Sequence, residues 1–138
     1  MVCAFFGHRD TPESIKEDLR RAILRAIKEG VDTFYVGNQG KFDYMVRNVL
    51  RDLKNVYPFV KYWVVLAYMP QKEEECEDTI YPEGIETVPV KFAIEYRNKW
   101  MIERANFVIA YVKHDFGGAA KFAKIAKKKG KQVINIAE

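Results

Sequence analysis

The sequence predicts an α/β domain of three layers, in which a mostly parallel sheet carries helices on both faces. Strand-like and helix-like hydrophobic spacings alternate along the chain, which is typical of parallel strands joined by helices. The strand-like runs are apolar almost throughout, as expected of strands covered on both faces. With 138 residues, 49% of them hydrophobic, the chain can bury one sizeable core, and we expect one domain over residues 1–138.

The elements follow one another in a regular order. Short apolar runs predict five strands, at residues 2–6, 33–36, 60–67, 107–112 and 132–136. Apolar residues at helical spacing predict a first helix that begins after Thr11 and further helices over residues 42–53, 91–104 and 119–126. Thr11 is expected to be the N-cap of the first helix, with Pro12 at its first position. Residues 69–88 predict a long loop, and the role of its acidic part, Glu73 to Asp78, is left open.

Composition excludes several classes of protein. The longest apolar runs, at residues 63–68 and 107–112, are too short to cross a bilayer, and no signal-peptide pattern is present. We therefore expect a cytoplasmic protein without a membrane partner. The two cysteines and two histidines are scattered and predict neither a disulfide framework nor a metal site. A net charge of +4 permits contact with nucleic acid and equally permits nothing beyond solubility.

Glycine and polar residues follow three of the predicted strands. They occur at Gly7-His8-Arg9, at residues 37–40, which begin with Gly37, and at residues 114–118. Because the carboxyl ends of parallel strands share one edge of the sheet, and ligands bind at that edge, the three turns predict a single binding site. The chain carries neither a dinucleotide-binding glycine fingerprint nor a Walker lysine motif.

The residue types at these turns suit a phosphate-bearing ligand. Gly117 and Gly118, ahead of a helix, predict a phosphate seat on the backbone N–H groups of the helix N-terminus. Arg9 supplies a bidentate donor for an anion, and His8 a hydrogen bond to ribose, base or phosphate. Asp43 either accepts from a ribose hydroxyl or stabilises the start of its own helix.

The predicted helix at residues 91–104 adds a further candidate. Arg97 either leans toward the same edge of the sheet or is an exposed charge paired with Glu95 or Glu103. Tyr96 and Trp100 are expected to pack against the protein rather than to stack on a base.

Taken in order, these features resemble a known superfamily. The strand ending in Gly7-His8-Arg9, the glycine-bearing turn before Asp43, Arg97-Asn98 ahead of the apolar run 105–110, and the Gly-Gly turn before a lysine-rich helix are similar to the SLOG superfamily. This Rossmann-like group includes DNA-processing protein A and the cytokinin-activating LOG enzymes, and the small YpsA-like members are most similar. The resemblance implies a nucleotide or nucleotide-derived ligand bound by Gly7, His8, Arg9, Gly37, Asp43, Arg97, Asn98, Gly117 and Gly118.

One departure from the superfamily bears on catalysis. LOG enzymes carry a Pro-Gly-Gly-x-Gly-Thr-x-x-Glu motif, whereas residues 115–123 here read Asp-Phe-Gly-Gly-Ala-Ala-Lys-Phe-Ala. The proline, the later glycine, the threonine and the glutamate are absent. We therefore favour a binding module over a phosphoribohydrolase.

Three function hypotheses follow. The first is a sensor or sequestering module for a nucleotide-type ligand, such as an ADP-ribose-like signal, with no required cofactor. The second is an enzyme that cleaves an N-glycosidic bond, with Asp43, Glu95 or Asp115 as its carboxylate. The third is binding of single-stranded nucleic acid through the lysines of residues 121–131, which otherwise form a solvated helix face. The resemblance also implies a homo-oligomer.

Overall fold

The architecture was obtained as a computed structural model, which describes residues 1–69 and 78–137. Its six strands form one sheet in the order β4-β3-β2-β1-β5-β6, and every pair of neighbours is parallel. The predicted α/β class is thereby confirmed. The strands are β1 Val2–Gly7, β2 Thr33–Val36, β3 Lys61–Val65, β4 Thr79–Ile80, β5 Phe107–Tyr111 and β6 Gln132–Asn135.

Helices cover both faces of this sheet, which gives the three predicted layers. They are α1 Lys16–Lys28, α2 Gly40–Val56, α3 Ala93–Arg104 and α4 Gly118–Lys128. The apolar stripes of α1 and α2 pack in one hydrophobic core, and those of α3 and α4 in a second core on the opposite face. No helix in the described ranges is long and apolar enough to cross a bilayer.

The central strand β1 shows how the sequence builds both cores. Successive side chains of a strand point to opposite faces. Phe5 therefore enters the α1–α2 core, where it stacks on Phe34 with the ring centroids 5.9 Å apart. Phe6 enters the α3–α4 core and stacks on Phe122 at 5.8 Å. β1 is an interior strand, with β2 on one side and β5 on the other. Its carboxyl end therefore lies at the middle of the sheet edge.

The start of the first helix differs from the prediction. Thr11 does not cap a helix: its hydroxyl donates to the carbonyl of His8 and tightens the turn after β1. A single 3₁₀ turn, Glu13–Ile15, comes first, and α1 begins only at Lys16. Pro12 occupies the N-cap position of that 3₁₀ turn, where an extended backbone suits proline.

The long loop predicted after the third strand also differs from the structure. Its second half holds β4, which pairs with β3 through two residues and is too short to give a hydrophobic pattern. A 3₁₀ turn, Ile85–Thr87, follows, and a second one, Val90–Phe92, forms the start of the predicted helix, so that α3 begins at Ala93. Residues 73–77 of the predicted acidic segment lie outside the residues that the structure describes.

The sheet has one switch point, and it fixes where a ligand is expected. The chain builds β2, β3 and β4 on one side of β1 and then returns to place β5 on the other side. The connections after β1 and β5 therefore diverge to opposite faces of the sheet and leave a crevice between them. In open α/β sheets ligands bind in such a crevice at the carboxyl ends of the strands.

Candidate functional site

A cavity of about 240 Å³ lies at this crevice. Its walls come from the carboxyl ends of β1 and β2, the first turns of α2 and α4, and one face of α3. All but one of the residues predicted for the site line the cavity: Gly7, His8, Arg9, Gly37, Asp43, Arg97, Asn98 and Gly118. The exception is Gly117, which immediately precedes α4.

Arg97 is a buried charge at this cavity. Its residue surface is only 3% exposed. Nε donates to Oδ1 of Asn98 at 3.0 Å, and Nη1 donates to the carbonyl of Val65 at 3.5 Å. Within residues 1–69 and 78–137, Nη2 has no protein acceptor. Burial lowers the pKa of Arg97, and the nearby carboxylate of Asp43 opposes that change.

The alternative in which Arg97 is an exposed charge paired with Glu95 or Glu103 is therefore wrong. Glu95 instead accepts from Lys99 at 3.2 Å and from Lys121 at 2.9 Å, which links α3 to α4 on the surface. These two lysines hold the pKa of Glu95 below its usual range.

Asp43 stabilises the start of its own helix, α2, which was one of its two predicted roles. Its Oδ2 accepts the N–H of Gln39, the residue before α2, at 2.9 Å. Asp43 is 8% exposed, and burial raises its pKa while Arg97 counteracts the rise. Among the residues that the structure describes, Asp43 is the carboxylate that lines the cavity, and neither Glu95 nor Asp115 contributes to its walls.

Gly7 and Gly37 let the backbone approach neighbouring side chains closely. A Cβ atom on Gly7 would lie 2.2 Å from the ring of Phe42. On Gly37 it would lie 2.7 Å from Nη1 of Arg97 and 2.8 Å from Oδ2 of Asp43. A side chain at position 37 would therefore force one or both of the charged groups to shift. Packing inside the protein therefore explains why glycine occupies both positions. The sequence had instead suggested contact with a phosphate as the explanation.

The N-terminus of α4 is open toward solvent and cavity. Gly117 has a φ of +91°, a conformation that favours glycine, and no side chain from residues 1–69 or 78–137 caps the helix. A Cβ atom added to either Gly117 or Gly118 would meet nothing within 4 Å. Gly118 and Ala119 line the cavity, so the first backbone N–H groups of α4 lie at its wall.

His8 lines the cavity but already has a protein partner. Its Nε2 accepts the backbone N–H of Lys113 at 3.0 Å, which ties the end of β1 to the loop after β5. An accepting Nε2 requires the neutral ring. Burial and, to a lesser extent, His114 lower the pKa of His8, and Asp10 opposes them. The prediction that His8 hydrogen-bonds a ligand is therefore wrong for Nε2, which accepts from the protein itself.

A ladder of rings next to the cavity was missed at the sequence level. The ring of His114 lies 5.0 Å from that of His8, and Phe116 stacks on His114 at 5.0 Å with an interplanar angle of 17°. Phe116 is 69% exposed. We call His8, His114 and Phe116 the ring ladder. Its sequence signal is a pair of rings two residues apart in the turn before the Gly-Gly step.

The two aromatic residues of α3 pack as predicted. Tyr96 donates its hydroxyl to the carbonyl of Glu83 at 2.8 Å. The ring of Trp100 lies 5.3 Å from that of Tyr35, and the guanidinium of Arg104 covers it at 3.9 Å. Across the described ranges, no cluster of three or more metal-ligating side chains occurs.

Comparison with known proteins identifies the class of fold. No family model and no curated protein matches the chain. DNA processing protein A from Streptococcus pneumoniae matches in structure with a TM-score of 0.66, at 16% sequence identity over 95% of this chain. DNA processing protein A from Helicobacter pylori, whose structure concerns its binding of single-stranded DNA, matches with a TM-score of 0.63 at 17% identity over 96%.

The chain thus shares the Rossmann-like fold of DNA processing protein A, and the fold that the resemblance implied is confirmed. The chain corresponds to only part of these proteins. It spans 48% of the Streptococcus protein and 63% of the Helicobacter protein.

Proposed function

We propose that the cavity binds a nucleotide through its phosphate. The observation that carries the proposal is that the buried guanidinium of Arg97 and the open N-terminus of α4 line the same cavity. Nη2 of Arg97 remains as a charged donor for which no described protein group is the acceptor. An anion that accepts from Nη2 of Arg97 and from the first N–H groups of α4 would satisfy both sets of donors.

The size of the cavity suits a phosphate with its sugar, and the base of the nucleotide would lie outside the cavity. Its volume of about 240 Å³ lies just below the roughly 300 to 1,000 Å³ of pockets that enclose drug-sized ligands. The base then reaches the rim, where the exposed Phe116 offers a ring face. Aromatic side chains at such positions stack on bases of any sequence.

Single-stranded DNA is the source of nucleotide that the fold relatives support. DNA processing protein A of Helicobacter pylori binds single-stranded DNA, and the present chain shares its fold. The exposed ring of Phe116, 69% accessible, favours a strand as well, because a strand can present a stacked base beside a bound phosphate.

A free nucleotide-derived ligand is the second candidate, supported by the concave shape of the cavity. An ADP-ribose-like molecule would bind its phosphate at Arg97 and extend past the rim. Cleavage of an N-glycosidic bond is a weaker alternative, because Asp43 already accepts from Gln39 and faces Arg97. Release of free base from nucleoside monophosphates by the protein would support this enzymatic alternative.

A competition experiment tests the proposal and separates the two sources. Fluorescence anisotropy of a labelled oligothymidylate is measured with the wild type and with Arg9→Ala, and the bound strand is challenged with AMP and with ADP-ribose. Arg21→Ala, an exposed arginine on α1, is the matched control. We expect strand binding that weakens in Arg9→Ala alone. Binding of the free compounds without binding of the strand would favour the second candidate, and no binding of either would contradict both.

A further inference from the structure

One face of α2 continues the rim of the cavity beyond Arg9. Gly40, with a φ of +89°, packs against the backbone of Arg9, since a Cβ atom there would lie 2.8 Å from the Cα atom of Arg9. The N–H of Lys41 also donates to the carbonyl of Arg9 at 2.8 Å. Residues four apart share one face of a helix. Tyr44 therefore lies one turn beyond the contact between Gly40 and Arg9.

Tyr44 presents its ring to solvent at this rim. It is 60% exposed, and the guanidinium of Arg47 lies 5.8 Å from its ring centroid. Arg47 and Arg9 both act electrostatically on the buried carboxylate of Asp43, so this part of α2 is within charge range of the cavity. This exposed ring belongs to α2, whereas the ring ladder belongs to the turns that follow β1 and β5.

We propose that Tyr44 is a second base-stacking position, so that a single strand crosses the cavity with one base on Tyr44 and another on Phe116. This inference rests on the proposed function in its single-strand form. A phosphate between the two bases lies over Arg97 and the N-terminus of α4. Exposed cations flank both positions, Arg9 and Lys41 on the α2 side and Lys113 and Lys121 on the other, which suits a polyanion.

Two stacking positions make the affinity depend on strand length in a specific way. A strand too short to span the cavity can use the phosphate seat with one ring only, and a longer strand gains the second ring. Loss of one stacked base weakens binding by about 5- to 150-fold. Tyr44→Ala should therefore weaken long strands and spare the shortest ones that bind.

The test measures oligothymidylates of about 2 to 16 nucleotides against the wild type, Tyr44→Ala, Tyr44→Trp and Phe59→Ala. Phe59 is 57% exposed but precedes β3, at the amino edge of the sheet, and serves as the matched control. We expect Tyr44→Ala to remove the length-dependent gain, Tyr44→Trp to restore it, and Phe59→Ala to have no effect.

The outcomes separate this inference from the function on which it rests. If Tyr44→Ala binds every length as the wild type does, the second stacking position is refuted and strand binding at the cavity stands. If Tyr44→Ala and Phe59→Ala weaken binding equally, the effect is not specific to the rim and the inference is likewise refuted. If the wild type binds no strand, the proposed function in its single-strand form has failed first.

Discussion

The guanidinium of Arg97 and the carboxylate of Asp43 face each other across Gly37 at the end of β2. A Cβ atom on that glycine would lie 2.7 Å from the one and 2.8 Å from the other. Arg97 comes from α3 on one face of the sheet and Asp43 from α2 on the opposite face. Two buried charges from opposite layers thus meet at the sheet edge, and each moderates the effect of burial on the pKa of the other.

Removal of the charge on Asp43 should separate its two predicted roles. Asp43→Asn keeps an oxygen for the N–H of Gln39 but removes the negative charge that faces Arg97. We expect a loss of about 1–3 kcal/mol in the free energy of unfolding, measured with urea, and strand binding at least as tight as in the wild type. Asp52→Asn, exposed on the same helix, is the control. A loss of binding in Asp43→Asn would instead indicate that the carboxylate contacts the ligand.

Two glycine-to-alanine changes should differ sharply in stability. In Gly37→Ala the new methyl group collides with Arg97 and Asp43, and we expect a cost of about 1–3 kcal/mol from this overpacking. In Gly118→Ala it meets nothing within 4 Å, and we expect little change or a gain of about 0.4–1 kcal/mol. Chemical denaturation of both variants checks the contrast. Equal stability of the two would contradict the packing described at Gly37.

His8 should make stability depend on pH. Because the pKa of His8 is lowered in the folded protein, the folded state binds fewer protons than the unfolded state. Its contribution to stability is therefore complete above the ordinary histidine pKa of about 6.5 and is lost as the pH falls through the lowered value. His8→Gln, which keeps an acceptor for the N–H of Lys113, should flatten this dependence in urea melts from about pH 8 to about pH 5.

The histidine next to it provides the control for that experiment. His114→Gln changes the ring that lies 5.0 Å from His8 and leaves the hydrogen bond to Lys113 in place. This variant should retain most of the pH dependence. The assignment to His8 would be wrong if the wild type and His8→Gln gave the same slope of stability against pH.

The lysines of α4 should contribute unequally to strand binding. Lys121 lies one turn into α4 and would exchange its ion pair with Glu95 for one with the bound phosphate, whereas Lys128 is the last residue of the helix. Removal of one lysine–phosphate ion pair should make the salt dependence shallower by about 0.7 in the slope of log K against log salt. We expect this change in Lys121→Ala and none in Lys128→Ala. Equal changes would indicate that the whole lysine face tracks the strand.

Much of the site could be predicted because parallel strands share a polarity. The turns that begin at Gly7 and Gly37 and the one that ends at Gly118 all follow strands, so their convergence required only the α/β pattern. Arg97 was left between two interpretations. Its signal is present: Arg97 and Asn98 occupy the same helical stripe as the buried Ala93, Met101 and Ile102, where the helical period calls for apolar residues.

Other features depend on contacts that no local pattern encodes. The hydrogen bond from the N–H of Lys113 to His8 joins residues 105 positions apart, and it reassigns a ring that was expected to contact the ligand. The capping role expected of Thr11 was wrong because the 3₁₀ turn Glu13–Ile15 separates it from α1, and its hydroxyl instead donates to the carbonyl of His8. Both errors arise where the chain turns tightly after β1.

Phosphate binding at the N-terminus of α4 is tested most directly by comparing Gly118→Leu with Gly118→Ala in strand binding. Both side chains begin in open space, so both variants should fold, and the leucine alone fills the wall of the cavity at the start of α4. We predict that Gly118→Ala binds a labelled oligothymidylate as the wild type does, whereas Gly118→Leu, equally stable in urea, binds at least about tenfold more weakly, a loss of about 1.4 kcal/mol. Undiminished binding by Gly118→Leu would show that no phosphate occupies this seat.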